Sequence, residues 1–266
     1  MTFSELLASD LPLLKELQPP DWNNIVPPFE YHISHSFCHT RKIMDGNRLA
    51  AVGTTVLHKD VAWLALIIVH PDYRGQGLGK KITMDLMDIA TKHECESILL
   101  LATPMGLPVY EKLGFIPESE YTFFRATKPF VASARDRHIL SFDQVYTSQV
   151  LQLDKWASGE DRSFRILEYI NDSLLYVVNS RVEGFYLPGL GEGLIVAMND
   201  EAGLSLLNER LRTRTEGVVP DENTTVLNFY ESHDFIPFRK AVRMRLGQPI
   251  YPELQLIYSR VSGQIG

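Results

Sequence analysis

The chain has 266 residues, 45% of them hydrophobic and 22% charged, the proportions of a folded globular protein with room for one large domain or two ordinary ones. Its formal net charge of −7 divides as −3 on residues 1–130 (12 basic against 15 acidic) and −4 on 131–266 (14 against 18), so neither half has the basic balance of a nucleic-acid binder. No apolar stretch approaches the length of a membrane span, Cys38 and Cys95 make no disulfide framework, and the eight histidines have no metal-ligand spacing; a cytoplasmic protein with reduced thiols and no metal is expected.

Asp10 stands before Leu11-Pro12-Leu13-Leu14-Lys15-Glu16-Leu17, which reads as a short helix with a capping aspartate and a proline in its first turn. Pro19-Pro20 ends it, and a polar, proline-containing segment runs on to about Glu30. Strand signals start near Ser36. Asp45-Gly46 is a hairpin turn between 37–44 and 49–57, and His58-Lys59-Asp60 turns into the apolar run Val61 to Val69. These segments predict three successive antiparallel strands.

The last strand feeds Val69-His70-Pro71-Asp72-Tyr73-Arg74-Gly75-Gln76-Gly77-Leu78-Gly79-Lys80, followed by apolar residues at Leu78, Ile82, Leu86, Ile89 and Ala90, which is helical spacing. A strand that enters a glycine-rich turn opening a helix presents free backbone N–H groups to phosphate or pyrophosphate. The Walker pattern fails, because Arg74 stands where its first glycine belongs and Lys81 where Ser or Thr belongs. The dinucleotide fingerprint fails too, with Lys80 in place of the third glycine. Arg-x-x-Gly-x-Gly, Arg74 to Gly79, fits.

After the helix, Ser97–Leu101 reads as a buried strand, and Val109-Tyr110-Glu111-Lys112-Leu113-Gly114-Phe115 follows. The loop and this segment, in this order and about 30 residues apart, resemble the GCN5-related N-acetyltransferase (GNAT) superfamily, whose Leu-Tyr-x-x-x-Gly-Phe ending appears here with Val109 for Leu. Thr103 and Gly106 stand where many members have Asn and Ala. The wording Ala-Thr-Pro-x-Gly over 102–106 is similar to a bacterial two-domain branch of the superfamily.

That resemblance implies an α/β (α+β) fold of two tandem GNAT-like domains, each a mixed, mostly antiparallel sheet flanked by helices. Residues 1–130 would be the catalytic domain binding acetyl-CoA, with no metal. Backbone N–H groups of Gly75, Gln76, Gly77, Leu78, Gly79 and Lys80 would hold the pyrophosphate, with Arg74 and Lys80 as charge partners. Ile68 and Val69 would pair with the pantetheine arm, and the Val69 N–H would face the thioester oxygen. Tyr110 would be the general acid toward the coenzyme A thiolate, a phenol that stays protonated at neutral pH; its other reading is a half-buried aromatic on an amphipathic helix. The strand Val61–Val69 holds no carboxylate or histidine, so the general base stays open among a water chain, His39, Glu231, or none. His70 reads as solvent-facing, and Trp63 either lines an acceptor pocket or packs in the core.

The second half repeats part of the first. Tyr110-Glu111 with Phe115-Ile116-Pro117 returns as Tyr230-Glu231 with Phe235-Ile236-Pro237 at an offset of 120, and Ile67-Ile68-Val69 pairs with Leu194-Ile195-Val196 at 127. The interval from strand to Tyr-Glu thus falls from 41 residues to 34, and the glycine loop is absent. Met198-Asn199-Asp200-Glu201-Ala202-Gly203 replaces it, with Asn199 or Asp200 as helix cap. Asp234 stands where the first copy has Gly114, and Tyr230 is expected to be structural. Leu153-Asp154 with Gly159-Glu160-Asp161-Arg162, Gly193–Ala197, Arg243-Met244-x-x-Gly247, and a tail with Pro252-Glu253, Tyr258 and Gly263 to Gly266 resemble the C-terminal domain of the same branch. Residues 131–266 are therefore expected to form a GNAT-like domain without the pyrophosphate loop, the boundary lying near Lys128–Arg137.

The resemblance implies an acetyl-CoA-dependent N-acetyltransferase that acts by direct attack on an amine of a small molecule or peptide, the second domain walling the acceptor cleft. Nucleic acid and membrane are not expected partners, and a homodimer is compatible with this reading. The alternatives are a non-catalytic acyl-CoA-binding or regulatory module, or a transferase using a different acyl-CoA.

Overall fold

The structure, a computed structural model, describes residues 1–20 and 22–265; Gly266, the end of the tail pattern, lies outside them. The chain forms two compact units. The first comprises Met1–Pro117 with Met244–Pro249 and Gly263–Ile265, and the second Glu118–Arg243 with Ile250–Ser262. Neither is a contiguous half of the chain, as the division near Lys128–Arg137 supposed. Tail contacts set the division: the Gln248 N–H donates to the Glu96 carbonyl at 2.9 Å, and the Ser97 hydroxyl to the Gln248 carbonyl at 2.6 Å.

In the first unit the chain runs β1 (Thr2–Glu5), a 3-10 segment (Ala8–Leu17), α1 (Val26–Ile33), β2 (Cys38–Asp45), β3 (Arg48–His58), β4 (Val61–Val69), α2 (Leu78–Lys92), β5 (Ser97–Ala102) and α3 (Leu107–Glu111). The strands lie in sequence order, antiparallel from β1 to β4, with β5 parallel to β4. One face carries α2, where the Thr55 hydroxyl donates to the Leu86 carbonyl at 2.9 Å. On the other face Leu14, Leu17, Ile25 and Phe29 are buried with Val52, Ala65 and Ile68.

Three elements differ from expectation. Asp10 caps from a different position than expected: it is not the N-cap but the third residue of the 3-10 segment, where it accepts the N–H of the N-cap Leu7 at 2.7 Å and pairs, buried, with Lys42. The supposed polar stretch before Glu30 contains α1, whose prolines occupy the first turn, where a missing N–H costs nothing. The four residues of β1 carry no alternating apolar signal, and pairing from Thr2↔Met44 to Glu5↔Arg41 makes them a strand.

β6 (Ile116–Ala126) leads into the second unit, which continues with β7 (Ile139–Ser141), α4 (Thr147–Ser158), α5 (Ser163–Tyr169), β8 (Leu174–Val178), β9 (Arg181–Leu187), β10 (Leu194–Ala197), α6 (Asp200–Arg210), β11 (Glu216–Pro220), α7 (Thr224–Ser232), β12 (Phe235–Gly247) and β13 (Ile257–Ser259). Within it β6 lies between β12 and β11, and a five-stranded sheet runs β13-β10-β9-β8-β7. The core gathers Phe124, Leu206, Tyr230 and Phe235. The Asp154 and Gly159–Arg162 pattern has a structural use here. Gly159 ends α4 at φ +72°, and Arg162 turns back to bond Asp154 through Nε at 3.0 Å and Nη2 at 2.9 Å, both side chains 2% exposed.

Candidate active site

The end of β4 is shaped by a bulge. Pairing with β3 passes from Thr54↔Ala65 to Val52↔Ile68, so Leu66 and Ile67 oppose the single residue Gly53, and Leu66 takes a left-handed φ of +51°. Gly53 leaves room there, since a Cβ would lie 2.6 Å from Leu86 Cδ1 of α2, which would have to shift. On its other side β4 pairs with β5 only from Val61↔Ser97 to Leu64↔Leu100; beyond the register the strands part. The His70 N–H donates to the Ala50 carbonyl at 2.9 Å. By the alternation of an antiparallel ladder, the preceding Val69 N–H points away from β3, toward the opening between β4 and β5.

The segment after β4 is braced before its glycines begin. His70 Nδ1 accepts the Asp72 N–H at 3.2 Å across a 3-10 turn, Pro71–Tyr73. The Tyr73 hydroxyl donates to Asp45 at 3.0 Å, and Arg48 bonds Asp72 at 2.8 Å while its guanidinium lies 5.5 Å from the Tyr73 ring centre. Gly75 and Gly77 follow at φ +75° and +76°, with no atom within 4 Å of a Cβ built at either, so backbone conformation rather than crowding calls for glycine. Gly77 caps α2, and the Lys81 N–H closes the first helical turn onto the Gly77 carbonyl at 3.1 Å. The amides of Leu78, Gly79 and Lys80 therefore have no acceptor one turn back, at the positive end of a 15-residue helix with no acidic residue in its first turn. A Cβ at Gly79 would lie 3.8 Å from Val69 Cγ2, which sets this helix start against the end of β4. Arg74, Gln76 and Lys80 are exposed; Arg74 Nε donates to the Val69 carbonyl at 3.3 Å and Gln76 Nε2 to that of Asp72 at 3.3 Å.

Tyr110 lies on α3, the helix after β5, and is 9% exposed. Because β4 and β5 are parallel, the glycine segment and α3 leave the sheet at the same edge, the end at which crevices form in parallel strands. The Tyr110 ring covers Gly106, where a Cβ would sit 2.8 Å from it, and meets Phe115 edge-on with centroids 6.0 Å apart. Glycine at 106 thus makes room for this ring. Burial raises the Tyr110 pKa above the ordinary phenol value, so the hydroxyl keeps its proton at neutral pH. No described residue hydrogen-bonds it.

The remaining sequence candidates fall elsewhere. His70 is 8% exposed rather than solvent-facing, and its Nδ1 is committed to the turn. Trp63 is 2% exposed in the core. His39 is on β2, separated from β4 by β3, and Glu231 is exposed on α7 of the second unit. The bulge at Leu66 and the Asp45–Tyr73–Arg48–Asp72 brace were not foreseen; Gly53 inside an apolar strand was the available signal for the first.

The corresponding edge of the second unit is filled by its own chain. β13 pairs with β10 at Ile195↔Ser259 and Val196↔Ile257, the repeat positions of Ile68 and Val69. Asn223 Nδ2 holds that segment by the Gln255 and Ile257 carbonyls at 2.8 and 3.1 Å. At the start of α6, Asn199 is the cap, accepting the Ala202 N–H at 3.0 Å, and the Tyr258 hydroxyl donates to Asp200 at 2.5 Å. The Tyr258 ring lies where a Cβ on Gly203 would come within 2.2 Å. Tyr230, the counterpart of Tyr110, has no exposed surface and stacks on Phe124 with centroids 5.0 Å apart.

Known proteins resemble this chain in sequence over part of its length and in fold over the whole of it. The profile of the Acetyltransferase (GNAT) family matches residues 4–115. Glucosamine 6-phosphate N-acetyltransferase of Trypanosoma brucei brucei is 47% identical over 49 residues, 18% of this chain and 33% of that protein. The chain spans about a third of the length of the curated relatives it matches. A Pyrococcus horikoshii protein assigned as an acetyltransferase superposes with a TM-score of 0.84 at 20% identity, covering 100% of this chain and 95% of that one. A tandem GNAT protein from the clavulanic acid biosynthesis pathway gives 0.62 at 12%, covering 94% and 99%. The fold is therefore α/β with two tandem GNAT-like domains, and residues 4–115 are similar to the GNAT family of acetyltransferases.

Proposed function

We propose that this chain is an N-acetyltransferase that moves an acetyl group from acetyl-CoA to an amine of a small molecule or peptide, with the transfer site in the first unit alone. The observation that carries this reading is the coincidence, at one sheet edge, of three features: the parting of β4 from β5, the unpaired amides that open α2, and the protonated Tyr110 hydroxyl.

In this reading the amides from Gly75 to Lys80 hold the pyrophosphate, and Arg74 and Lys80 add charge. The edge of β4 at Ile68 and Val69 takes the pantetheine arm as a further strand would. The Val69 N–H donates to the thioester oxygen as negative charge develops there. The amine nitrogen attacks the carbonyl carbon, the C–N bond forms and the C–S bond breaks. The departing sulfur takes the Tyr110 proton, and the proton released by the acylated nitrogen returns to Tyr110 or to solvent. In the second unit β13, Asn199 and Asp200 stand at the positions that cofactor binding would use, which supports a single cofactor site per chain.

The test is release of coenzyme A thiol from acetyl-CoA over a panel of amines, for the wild type and Tyr110→Phe. We expect the variant to lose about 10²-fold in kcat, with coenzyme A affinity within a factor of two of the wild type. Turnover unaffected by Tyr110→Phe would remove the general-acid role. Coenzyme A binding without turnover on any amine would leave a non-catalytic acyl-CoA-binding module, and faster thiol release from another acyl-CoA would replace the acetyl donor.

A further inference from the structure

His70 follows β4 as a buried imidazole for which the transfer chemistry above has no use. Its backbone N–H is bound to the Ala50 carbonyl, and its Nδ1 accepts the Asp72 N–H at 3.2 Å. That bond closes a turn in which the Tyr73 N–H donates to the His70 carbonyl at 3.0 Å and the Arg74 N–H to that of Pro71 at 3.2 Å. Asp72 is the joint between this turn and the glycines. Its carboxylate accepts Arg48 of β3 at 2.8 Å, and its carbonyl accepts Gln76 Nε2, from within the glycine segment, at 3.3 Å.

The glycines themselves supply no such restraint. Nothing lies within 4 Å of a Cβ built at Gly75 or Gly77, so side-chain packing does not hold them. Glycine also has the most backbone freedom to lose when a ligand fixes it. The turn before them therefore decides how far the segment is ordered before a ligand arrives.

Acceptance at Nδ1 requires the tautomer with its proton on Nε2. Nε2 faces the Glu16 carboxylate of the 3-10 segment at 3.9 Å, which favours that tautomer. The Asp72 carboxylate lies 3.9 Å from Nδ1, and the Tyr73 ring meets the imidazole edge-on with centroids 5.7 Å apart. Arg48 and Asp45 stand behind these two as their hydrogen-bond partners. A proton on Nδ1 turns the acceptor into a donor aimed at an N–H, so the turn bond does not survive it. The new donor then competes with Arg48 for the Asp72 carboxylate.

We propose that His70 is a positioning residue for the pyrophosphate segment: neutral, it holds the turn that presents the amides opening α2, and protonated, it releases that turn and weakens coenzyme A binding. The ligand in this inference rests on the cofactor reading above; the turn does not.

The turn is tested in the ligand-free protein. The Asp72 amide resonance and the His70 ring signals are followed by NMR from pH 8 to pH 5.5, the range in which an imidazole takes its proton. The two should share one midpoint, and in His70→Asn the amide should no longer follow pH. Arg48 holds the Asp72 carboxyl below the usual carboxylate range, which keeps its own titration out of this window. Coenzyme A affinity is then measured by calorimetry over the same range for the wild type, His70→Asn and His70→Gln. Asn places an amide oxygen where Nδ1 sits and does not titrate, whereas Gln reaches past that position. We expect Asn to restore wild-type affinity at pH 8, and the wild type to fall about five- to tenfold behind it at pH 5.5, the effect of one lost hydrogen bond. His70→Gln should bind about five- to tenfold more weakly than the wild type at pH 8. The ratio of wild type to His70→Asn at each pH removes the titration of the coenzyme's own phosphate monoester. An Asp72 amide indifferent to the His70 titration, a ratio constant with pH, or full affinity in His70→Gln would each overturn the role of His70 and leave the cofactor reading standing. A wild type that binds no coenzyme A at pH 8 would overturn both. The amide titration is read on the wild type, so it decides the matter even where a variant fails to fold.

Discussion

Tyr110 and Tyr230 hold the same place in two copies of one sequence pattern, yet their surroundings differ. Tyr110 keeps 9% of its surface open at the edge where β4 and β5 part, whereas Tyr230 is wholly enclosed between Phe124, Phe235 and Gly217. A hydroxyl without access to a reacting atom is only packing, so conservation of pattern within the chain does not carry function with it. His32 shows the same dependence on surroundings. It is buried on α1 with Nδ1 3.3 Å from the Thr54 hydroxyl, and its pKa is lowered to about 4. Burial is the main cause, His35 adds to it, and a hydrogen bond with Gln264 opposes it. The folded pKa lies below the unfolded one near 6.5, so the contribution to stability is complete above pH 6.5 and is lost as pH falls toward 4. At pH 5 the loss is about 2 kcal/mol. Urea unfolding at pH 7 and pH 5 should show that difference in the wild type, and His32→Gln should flatten it. Equal losses in both proteins would mean that another group governs acid stability.

At the scale of elements, the strand–glycine turn–helix was legible because its signals are local: alternation and apolar runs for β2 to β4, helical spacing for α2, and glycines where φ is positive. What was not legible depends on partners distant in sequence. β1 is a strand because β2 accepts it, Leu66 lies in a bulge opposite Gly53 of the neighbouring strand, and Ile257–Ser259 is a strand because the β10 edge is open to it. The repeat also preserved a turn that its residues disguise. Asp234 takes φ +60° where Gly114 takes +91°, so the loss of glycine changed the residue and kept the left-handed conformation. The covered β10 edge can be tested through Gly203, whose missing side chain admits the Tyr258 ring. Gly203→Ala places a methyl group 2.2 Å from that ring, which must shift and release its bond to Asp200. We expect a loss of about 1–3 kcal/mol in chemical denaturation, with faster hydrogen exchange in β10 and β13 and coenzyme A affinity unchanged. Unaltered exchange in β13 would show that Tyr258 does not anchor it.

For the whole molecule, two domains of related fold do not imply two cofactor sites. The two copies differ at the strand edge and at the helix start, and both differences act in the same direction. In the first unit β5 leaves the β4 edge beyond Leu64, and the first turn of α2 has no acidic residue. In the second, β13 takes the β10 edge, Asn199 takes an amide of α6, and Asp200 and Glu201 put negative charge in its first turn. A pyrophosphate brought to α6 would meet like charge where α2 offers none, and desolvating those carboxylates would add to the cost. Calorimetric titration with coenzyme A should therefore give one site per chain. Hydrogen exchange with the ligand present should slow at the end of β4 and the start of α2, while β10 and α6 exchange as in the free protein. Two equivalent sites, or protection that spreads to the start of α6, would show that the second unit binds the nucleotide despite its own strand, and that β13 leaves β10 when the ligand arrives.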